Sequence, residues 1–195
     1  MSKSLAEIIF LSICKLRTFF VVPSARIVRF PIDIRGKKFM DFGRKLTTGY
    51  YCRLEAYPIG NNNSKVLKFC DNVQINDFVH IAAAKNVETG NNVLIASKVF
   101  ISDICHGEYA DIENMSDPNE HPNDRKLSAK PVIIHDDVWI GEMVSILPGV
   151  EIGKGSIIGA NSVVTKSIPE YSIAAGNPAK VIKQYNFNKK QWKKI

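Results

Sequence analysis

The sequence predicts a mainly β protein whose C-terminal half is a solenoid of short, stacked parallel strands. Three observations carry this prediction: an aliphatic residue returns at every sixth position, small or β-branched residues follow four positions later, and glycine often comes directly after the aliphatic residue. The aliphatic series is Ile134, Ile140, Ile146, Ile152, Ile158 and Val164. This spacing matches neither the roughly 3.6-residue period of a helix nor the two-residue period of a strand, so it excludes an amphipathic helix and an ordinary antiparallel meander.

Each six-residue unit is predicted to be one short strand and one tight corner, and three units form a triangular coil with the aliphatic residues inside. The corners need small residues or glycine, such as Gly141, Gly153 and Gly159. Stacked coils remove the aliphatic side chains from water at about 0.8 kcal/mol per methylene group, which a single coil cannot do. An earlier copy of the pattern passes through Phe69, Ile75, Ile81, Thr89, Ile95 and Ile101. The step from Ile81 to Thr89 is longer than six residues, which predicts a two-residue bulge at a corner.

The N-terminal segment is predicted to be a helix. Apolar residues over 2–20 are spaced to suit one helical face, and Pro23 follows them. Charged residues interrupt the run before it could span a membrane, and no small-residue cleavage site marks a secretory signal. We expect the apolar stripe to pack on the body or on a neighbouring subunit. The alternative is an interfacial membrane anchor, because Lys3, Lys15 and Arg17 suit anionic lipid.

The chain divides into three regions. Residues 1–66 are expected to hold the helix and short β-prone pieces, broken by glycines and by the turn signal at Asn61–Asn63. Residues 67–176 are the predicted β-helix, from which a loop at 103–131 is extruded. Residues 177–195 form a basic tail that we expect to be helical.

Lys and Arg outnumber Asp and Glu by 26 to 19, with the excess near the C-terminus. A positive charge favours an anionic partner such as nucleic acid, acidic lipid or a phosphorylated cofactor, although a solvated basic tail fits equally. We expect no nucleic acid, since Trp192 and Tyr185 alone make a thin stacking platform. The four cysteines lack paired spacing, which predicts neither a zinc site nor disulfides but reduced thiols in a cytoplasm.

A long polar segment interrupts the repeat between Ile101 and Ile134. It carries His106 and His121, and His135 lies just beyond it. Because a strict repeat gains nothing from such an insertion, we expect the loop to serve binding or catalysis. The alternative is a tolerated, disordered excursion.

Four segments carry a resemblance to a known family. They are NVLIASKVFISD at 92–103, DVWIGEMVSILPGVEIG at 137–153, IIGANSVVTKSIP at 157–169 and AAGNPAKVIK at 174–183. With the repeat around them, from Phe69 to Ile182, they resemble the hexapeptide-repeat acyltransferases. The similarity is strongest to the galactoside and maltose O-acetyltransferases and to the O-acetyltransferases of lipopolysaccharide O-antigen synthesis. The resemblance implies a left-handed coil, which physics alone does not predict because parallel crossovers are right-handed in about 98% of cases.

The resemblance also implies a homotrimer, with active sites between neighbouring subunits, that uses acetyl-CoA. We expect a cytoplasmic enzyme that requires no metal. It places the family's catalytic histidine at His106, whose imidazole would deprotonate the acceptor hydroxyl as that hydroxyl attacks the acetyl thioester. A positioned general base contributes about 100- to 10,000-fold. Direct transfer needs no Ser or Cys nucleophile, so Cys105 is discounted. A carboxylate or a backbone carbonyl on the far ring nitrogen would fix the tautomer, and Asp103 is the nearest candidate in sequence.

Substrate contacts follow from the same resemblance. Asn76 matches an acceptor contact, whereas Ala84 stands where the family has a carboxylate, a departure that argues against a simple galactoside or maltose substrate. The acetyl-CoA contacts carry over onto Ala160, Thr165, Lys166, Lys180 and Lys183. The last two are arginines in the sugar enzymes, and lysine keeps the charge towards a phosphate but loses bidentate geometry. Glu142 replaces a serine of the family.

The resemblance therefore implies an O-acetyltransferase acting on a sugar hydroxyl, in a bacterial surface polysaccharide such as O-antigen or capsule or in its lipid-linked precursor. Two alternatives stay open. One is an acetyltransferase of a small free acceptor such as a sugar, an amino sugar or an antibiotic. The other is a β-helical binding protein that keeps the solenoid without the chemistry.

Overall fold

The structure of the protein is a computed structural model that describes residues 4–60 and 63–195. The first residues of the predicted helix, including Lys3, lie outside the described residues. So do Asn61 and Asn62 of the predicted turn.

The described chain begins with one helix, α1, which spans Leu5–Val21. Ser4 caps it, since the Ser4 hydroxyl accepts a hydrogen bond from the Glu7 backbone N–H, and the Glu7 carboxylate accepts one from the Ser4 backbone N–H at 2.7 Å. The helix ends two residues before Pro23, whose ring and missing N–H are incompatible with a further turn. The predicted N-terminal helix is confirmed.

One face of α1 is attached to the solenoid. Cys14 and Thr18 are buried there, and the Thr18 hydroxyl accepts a hydrogen bond from the Val28 backbone N–H at 2.8 Å. Beside them, the Arg17 guanidinium lies 3.9 Å from the centre of the Phe30 ring. These contacts fix the helix against the first coil.

Behind α1 the chain winds into short strands. In chain order they are β1 Ile32–Arg35, β2 Met40–Asp41, β3 Thr47–Thr48, β4 Cys52–Ala56, β5 Leu67–Phe69, β6 Gln74–Ile75, β7 His80–Ala83, β8 Val87–Thr89, β9 Leu94–Ile95 and β10 Phe100–Ser102, with a short 3-10 turn at Lys37–Phe39. An extruded ribbon follows, made of β11 Ile104–His106 and β12 Leu127–Ala129. The winding resumes with β13 Val132–Ile134, β14 Trp139–Ile140, β15 Ser145–Ile146, β16 Glu151–Ile152, β17 Ile157–Ile158 and β18 Val163–Val164. The chain closes with β19 Ser172–Gly176, β20 Ala179–Asn186 and β21 Gln191–Lys194.

Successive strands fall in turn on three sheets. Sheet A contains β3, β6, β9, β14, β17 and β19–β21, sheet B contains β1, β4, β7, β10, β15 and β18, and sheet C contains β2, β5, β8, β13 and β16. Three strands therefore complete one coil, and each strand pairs in parallel with the strand one coil away. In sheet B the register joins Ile101 to Ile81 on one side and to Ile146 on the other, and all three side chains are fully buried. The predicted solenoid with an aliphatic interior is confirmed.

The coils begin earlier than the predicted boundary at residue 67. Strands β1 to β4 already pair in parallel within the three sheets, and β1 joins β4 from Ile32–Cys52 to Arg35–Glu55. The six-residue period is hidden here because β4 is followed by a long connection to β5. Strand pairing thus extends the solenoid into a region whose spacing does not reveal it.

The long step from Ile81 to Thr89 is a wide corner at Ala84–Asn86, between β7 and β8. Ile81, Ala83 and Thr89 are all buried on its two sides. The series of side chains that point into the solenoid therefore continues across the two extra residues.

The predicted C-terminal helix is wrong. Residues 179–186 and 191–194 form β20 and β21, which extend sheet A in antiparallel fashion from β19. Alternate residues of β20 are exposed, and the rings of Tyr185 and Trp192 meet across the two strands with centroids 5.3 Å apart. A terminal coil leaves an open strand edge, and antiparallel pairing with the tail supplies hydrogen-bond partners to the backbone N–H and C=O groups of that edge.

Candidate active site

The extruded loop is held at its base by a two-stranded ribbon. β11 pairs antiparallel with β12, and His106 lies opposite Leu127 at the last paired position. Residues 107–126 form the loop beyond this stem. The ribbon leaves sheet B at the corner that leads to sheet C, so it stands in the same column as the wide corner at 84–86 in the coil before it.

Asp103 anchors the ribbon to that corner and does not orient His106. Its carboxylate is fully buried and accepts hydrogen bonds from the backbone N–H groups of Ala84 at 2.8 Å, Lys85 at 2.7 Å and Asn86 at 2.8 Å. These are the corner amides that pair with no strand, and a carboxylate suits three converging donors. The expectation that Asp103 positions the catalytic histidine is therefore corrected.

A backbone carbonyl lies beside the His106 ring instead. His106 Nδ1 is 3.3 Å from the carbonyl oxygen of Pro122, which belongs to the far side of the loop. A carbonyl only accepts hydrogen bonds, so this contact assigns the proton to Nδ1 and leaves Nε2 with an available lone pair. The ring itself is exposed to solvent. This arrangement suits a residue that accepts a proton from a bound molecule.

A tyrosine and an arginine brace the loop around that carbonyl. The Tyr109 hydroxyl donates to the His106 carbonyl oxygen at 2.8 Å. Arg125 donates to the Tyr109 hydroxyl at 2.8 Å, to the Glu120 carbonyl at 3.0 Å and to the Pro118 carbonyl at 3.2 Å. The guanidinium thus joins the segment before Pro122 to the segment after His106. Sequence reasoning missed both braces, because an irregular loop has no periodicity that would mark them.

Gly107 shows how tightly the turn beyond His106 is closed. Its φ of +109° lies in a region that favours glycine, and a Cβ placed there would lie 2.5 Å from the Tyr109 hydroxyl. The Ser128 hydroxyl also donates to the Gly107 carbonyl at 2.6 Å. The turn therefore requires glycine for both conformation and space.

A groove of about 320 Å³ lies between the ribbon and the corners below it. Cys105 and Thr165 both line it, together with Glu108. The backbone N–H groups of Ala110 and Tyr109 donate to the Glu108 carboxylate and hold its pKa below its usual value, although desolvation opposes them. Neighbouring residues of a strand point to opposite faces, so Cys105 faces this groove while His106 faces away from it. The structure thus brings the predicted cofactor residue Thr165 to the foot of the ribbon.

The other predicted cofactor residues lie along the last coil. Ala160 precedes β18, and Thr165 and Lys166 follow it directly. The Ala160 backbone packs closely on Gly141, where an added Cβ would lie 2.7 Å from the Ala160 nitrogen. Glu142, adjacent to Gly141, places an exposed carboxylate beside this position.

Lys180 and Lys183 both lie on β20. Lys180 pairs with Ala175 of β19, and an added Cβ at Gly159 would lie 2.9 Å from the Ala175 side chain, so Lys180 and Ala160 belong to the same end of sheet A. Over the described residues 4–60 and 63–195, neither these lysines nor Lys166 form an ion pair. The candidate cofactor residues therefore lie in two places, at the corners on either side of β18 in sheet B and on β20 of sheet A.

Asn76 lies in a different groove from the ribbon. It follows β6 and lines an open groove of about 830 Å³ between α1 and the corner from sheet A to sheet B. Phe10 of α1 lines one wall, and Arg29 and Asp77 line the other. Within one chain, the structure does not bring the predicted acceptor residue into the ribbon groove. Ala84, where the family has a carboxylate, is buried at the corner that Asp103 binds.

Comparisons with known proteins identify the family. The family model "Bacterial transferase hexapeptide (six repeats)" matches residues 131–166. The putative lipopolysaccharide biosynthesis O-acetyl transferase WbbJ of Escherichia coli K12 is 48% identical over 171 residues, which cover 88% of this chain and 85% of WbbJ. A probable acetyltransferase of Mycobacterium tuberculosis, Rv3034c, is 38% identical over 179 residues, but the match spans only 57% of its length.

Solved structures share the fold. The hexapeptide-repeat acetyltransferase VCA0836 of Vibrio cholerae, complexed with acetyl-CoA, superposes with a TM-score of 0.54 and 26% identity over 71% of this chain and 70% of its own. AntD, an N-acyltransferase of Bacillus cereus in complex with dTDP and 3-hydroxybutyryl-CoA, superposes with a TM-score of 0.63 and 18% identity over 83% of this chain and 81% of its own. At that identity AntD supports the fold alone.

The fold and repeats are those of a left-handed parallel β-helix, the class of protein built from transferase hexapeptides. The chain belongs to the hexapeptide-repeat acyltransferase family, as its extensive similarity to WbbJ shows. Over the described residues, no helix is both long and apolar enough to cross a membrane, and no three His, Cys, Asp or Glu side chains cluster as a metal site would require.

Proposed function

We propose that the protein transfers an acetyl group from acetyl-CoA to a sugar hydroxyl, with His106 as the general base. The observation that carries this proposal is the pairing of His106 Nδ1 with the Pro122 carbonyl, which leaves Nε2 ready to accept a proton at an exposed site. An alcohol is a poor nucleophile at neutral pH, and an imidazole with its working pKa near neutrality is suited to activate it.

The transfer is a direct attack. His106 Nε2 takes the proton of the acceptor hydroxyl while the hydroxyl oxygen bonds to the acetyl carbonyl carbon. The tetrahedral intermediate then collapses with cleavage of the carbon–sulfur bond, and the leaving thiolate of CoA receives the proton from His106. The products are the sugar acetate and free CoA, with no acyl-enzyme and no metal. Cys105 faces the neighbouring groove and takes no part.

Acetyl-CoA is proposed to lie along the last coil, against Ala160, Thr165 and Lys166. Lys180 and Lys183 would meet its phosphates, since both carry a charge that is not engaged in an ion pair within the described chain. Support comes from the VCA0836 structure, which is complexed with acetyl-CoA. The Glu142 carboxylate would stand near the same anionic ligand, and we expect it to weaken binding by repulsion rather than to contact the phosphates.

The acceptor is proposed to be a sugar of a bacterial surface polysaccharide or of its lipid-linked precursor, on the inner face of the cytoplasmic membrane. The high identity to WbbJ, whose name specifies lipopolysaccharide biosynthesis, supports this class of acceptor. The groove at Asn76 offers amide and carboxylate groups, which suit sugar hydroxyls, beside the apolar wall of α1. A lipid-linked saccharide combines both chemistries.

We also propose a homotrimer in which Asn76 of one subunit faces His106 of its neighbour. The two residues occupy separate grooves in one chain, and a site shared between copies would unite them. The corner from sheet A to sheet B supports such an interface. There, Tyr51 and Phe78 both adopt a left-handed backbone, with φ of 57° and 58°, and their exposed rings stack with centroids 5.1 Å apart. Lys98 and Met143 have the same left-handed backbone at this corner of later coils, so the conformation belongs to the repeat, and the exposed aromatic stack is what favours an interface.

The test is His106→Ala assayed with acetyl-CoA, measuring CoA release with lipid-linked oligosaccharide and with a panel of free sugars. We expect kcat to fall by about 100- to 10,000-fold. His121→Ala is the matched control, because His121 is an exposed histidine of the same loop. Full activity of His106→Ala would overturn the proposal, and turnover of free sugars alone would assign the enzyme to small acceptors.

The shared site has its own test. His106→Ala and Asn76→Ala subunits are each expected to be impaired, whereas subunits unfolded and refolded together should regain activity, because some interfaces then combine an intact Asn76 with an intact His106. A mixture no more active than its components, from trimers shown to have exchanged subunits, would place each site within one chain.

A further inference from the structure

The side of α1 that faces away from the solenoid is exposed and apolar. Its large residues are between half and three-quarters exposed, and they are Leu5, Ile8, Ile9, Ile13, Leu16, Phe19 and Phe20. Positions 5, 9, 16 and 20 repeat with helical spacing, so these side chains line one face. That face is opposite the attached face of Cys14 and Thr18. The helix is therefore apolar on both sides, but only one of them is covered by the solenoid.

The exposed face is a continuous band along the whole length of α1. The one polar residue within it, Ser12, turns its hydroxyl back to the Ile8 carbonyl at 2.9 Å. Folded chains rarely expose contiguous apolar patches of more than a few hundred Å², and larger patches mark interaction sites. Phe19 and Phe20, at 67% and 74% exposure, form an edge-to-face pair at one end of the band.

The charges around this band are positive. Lys15 stands at one border, where its ammonium donates to the Arg26 carbonyl oxygen, and Arg17 stands at the other, where its guanidinium lies over the Phe30 ring; both side chains keep exposed surface. Glu7 is the acidic residue of α1, and it lies on the helical side of Cys14 and Thr18, where it takes part in the N-terminal cap. Next to Lys15, an open groove of about 710 Å³ is lined almost entirely by apolar side chains, among them Leu16 and Phe19. An apolar groove beside an ammonium group suits an acyl chain with an anionic headgroup.

We propose that the outward face of α1 docks on an anionic phospholipid surface, with the helix lying in the plane of the membrane. The apolar band would enter the acyl boundary while Lys15 and Arg17 meet the headgroup phosphates, which is how interfacial helices bind. Two copies meeting through this same face would bring the lysines and arginines of both helices together without an acid between them, and the heterologous contacts of the proposed trimer do not pair a face with itself.

Membrane docking has a consequence for the acceptor site, and this consequence rests on the proposed function. Phe10 and Leu11, which lie on either side of the attached face of α1, line the groove that contains Asn76. A helix lying on the membrane therefore places this groove about one helix diameter, roughly 10 Å, from the lipid surface, within reach of a lipid-linked sugar. The binding of a free sugar would not depend on that placement.

The test is co-sedimentation of the full-length protein with phosphatidylcholine vesicles, with and without phosphatidylglycerol. We expect binding to the anionic vesicles that weakens as salt is added. A double variant, Leu16→Ser with Phe20→Ser, should reduce the partition coefficient at least about tenfold, because two side chains that enter the lipid are lost. Lys15→Gln with Arg17→Gln should reduce binding to anionic vesicles and leave the weaker binding to neutral vesicles unchanged.

The matched control is Ile195→Ser, which removes an equally exposed aliphatic side chain at the other end of the chain and should bind like the parent. Equal sedimentation of the parent and the Leu16/Phe20 double variant would overturn the proposal. A double variant that fails to bind vesicles but also loses oligomer mass in analytical ultracentrifugation would assign the face to a second copy instead. His106→Ala should bind vesicles like the parent, so loss of acetyl transfer and loss of docking are separate results.

Discussion

Replacing Asp103 by Asn tests how the ribbon that carries His106 is attached to the solenoid. The carboxylate accepts three backbone N–H groups, one at Oδ1 from Ala84 and two at Oδ2 from Lys85 and Asn86, and it has no contact with solvent. An amide of the same shape offers one oxygen. It keeps the pair at Oδ2 at best, and it turns its own NH2 group towards the Ala84 N–H.

The cost follows from these contacts. The lost bond to a charged acceptor costs about 1.5–3 kcal/mol. The two remaining bonds become neutral and keep roughly half of their strength. Removing a buried charge also removes its desolvation cost, which offsets part of the loss. We therefore expect Asp103→Asn to lower the free energy of unfolding by about 2–3 kcal/mol, and Asp103→Ala by more, roughly 3–5 kcal/mol, because three donors are left without a partner.

The assay is urea unfolding followed by far-ultraviolet circular dichroism, at one protomer concentration for all variants, since oligomer stability depends on concentration. Asp124→Asn is the matched control, as an exposed carboxylate of the same loop, and should change stability by less than about 0.5 kcal/mol. Limited proteolysis within residues 107–126 should accelerate in Asp103→Asn alone. An Asp103→Asn protein as stable as the parent would refute the anchoring role.

Four further predictions concern the core, the charges and the loop. Ile140→Ala, at a fully buried inward position, should cost about 2–5 kcal/mol in urea unfolding, and a value near zero would contradict the packed interior. Burial raises the pKa of Glu55, but hydrogen bonds from Arg53 and His80 outweigh it and hold the pKa below its usual value. The stability that Glu55 contributes is therefore full above the unfolded pKa and is lost as the pH falls through the lower folded value. Glu55→Gln should be about 1–3 kcal/mol less stable than the parent at neutral pH, and the urea midpoints of the two proteins should converge as the pH falls through the lowered folded pKa. Arg125→Ala should lower kcat at least about tenfold through loss of the loop brace, with Arg125→Lys recovering little because one ammonium cannot reach three acceptors, and unchanged kcat would leave the brace without a catalytic role. Cys105→Ala should keep nearly full acetyl transfer, since direct attack needs no thiol.

The solenoid was predictable because one physical requirement repeats. Every sixth side chain from Ile134 to Val164 points into the water-free interior of the coil, so each of these positions requires an aliphatic residue. The six-residue period is therefore visible in the sequence. The first coils were not recognised, since the long connection after β4 breaks the spacing and only strand pairing places β1 beside β4. The tail was misread as a helix because its lysines suit either element. The tail forms strands because it pairs with the free edge of β19, and the local sequence of the tail contains no sign of that edge.

The site was predictable only in part. The motif around His106 predicts its role, which stays a prediction, whereas the partner of its ring could not be predicted, because Pro122 is distant along an irregular loop. The nearest carboxylate, Asp103, misled the sequence argument. Asp103 and His106 are close in sequence, but their side chains point to different places. The Asp103 carboxylate accepts hydrogen bonds from backbone N–H groups in the solenoid, and the His106 ring faces solvent.

Two irregularities of the repeat, the long step from Ile81 to Thr89 and the insertion after Ser102, form one structural feature. They lie at the same corner of adjacent coils, and Asp103 joins them through the amides of residues 84–86. The corner of a regular six-residue unit is too short to present three free backbone N–H groups to one side chain. The wider corner at 84–86 therefore allows the buried Asp103 carboxylate to hold the base of the ribbon. The bulge and the loop should therefore depend on each other. Shortening the corner by two residues would remove the Asp103 donors, and the ribbon carrying His106 would then lose its fixed place on the solenoid.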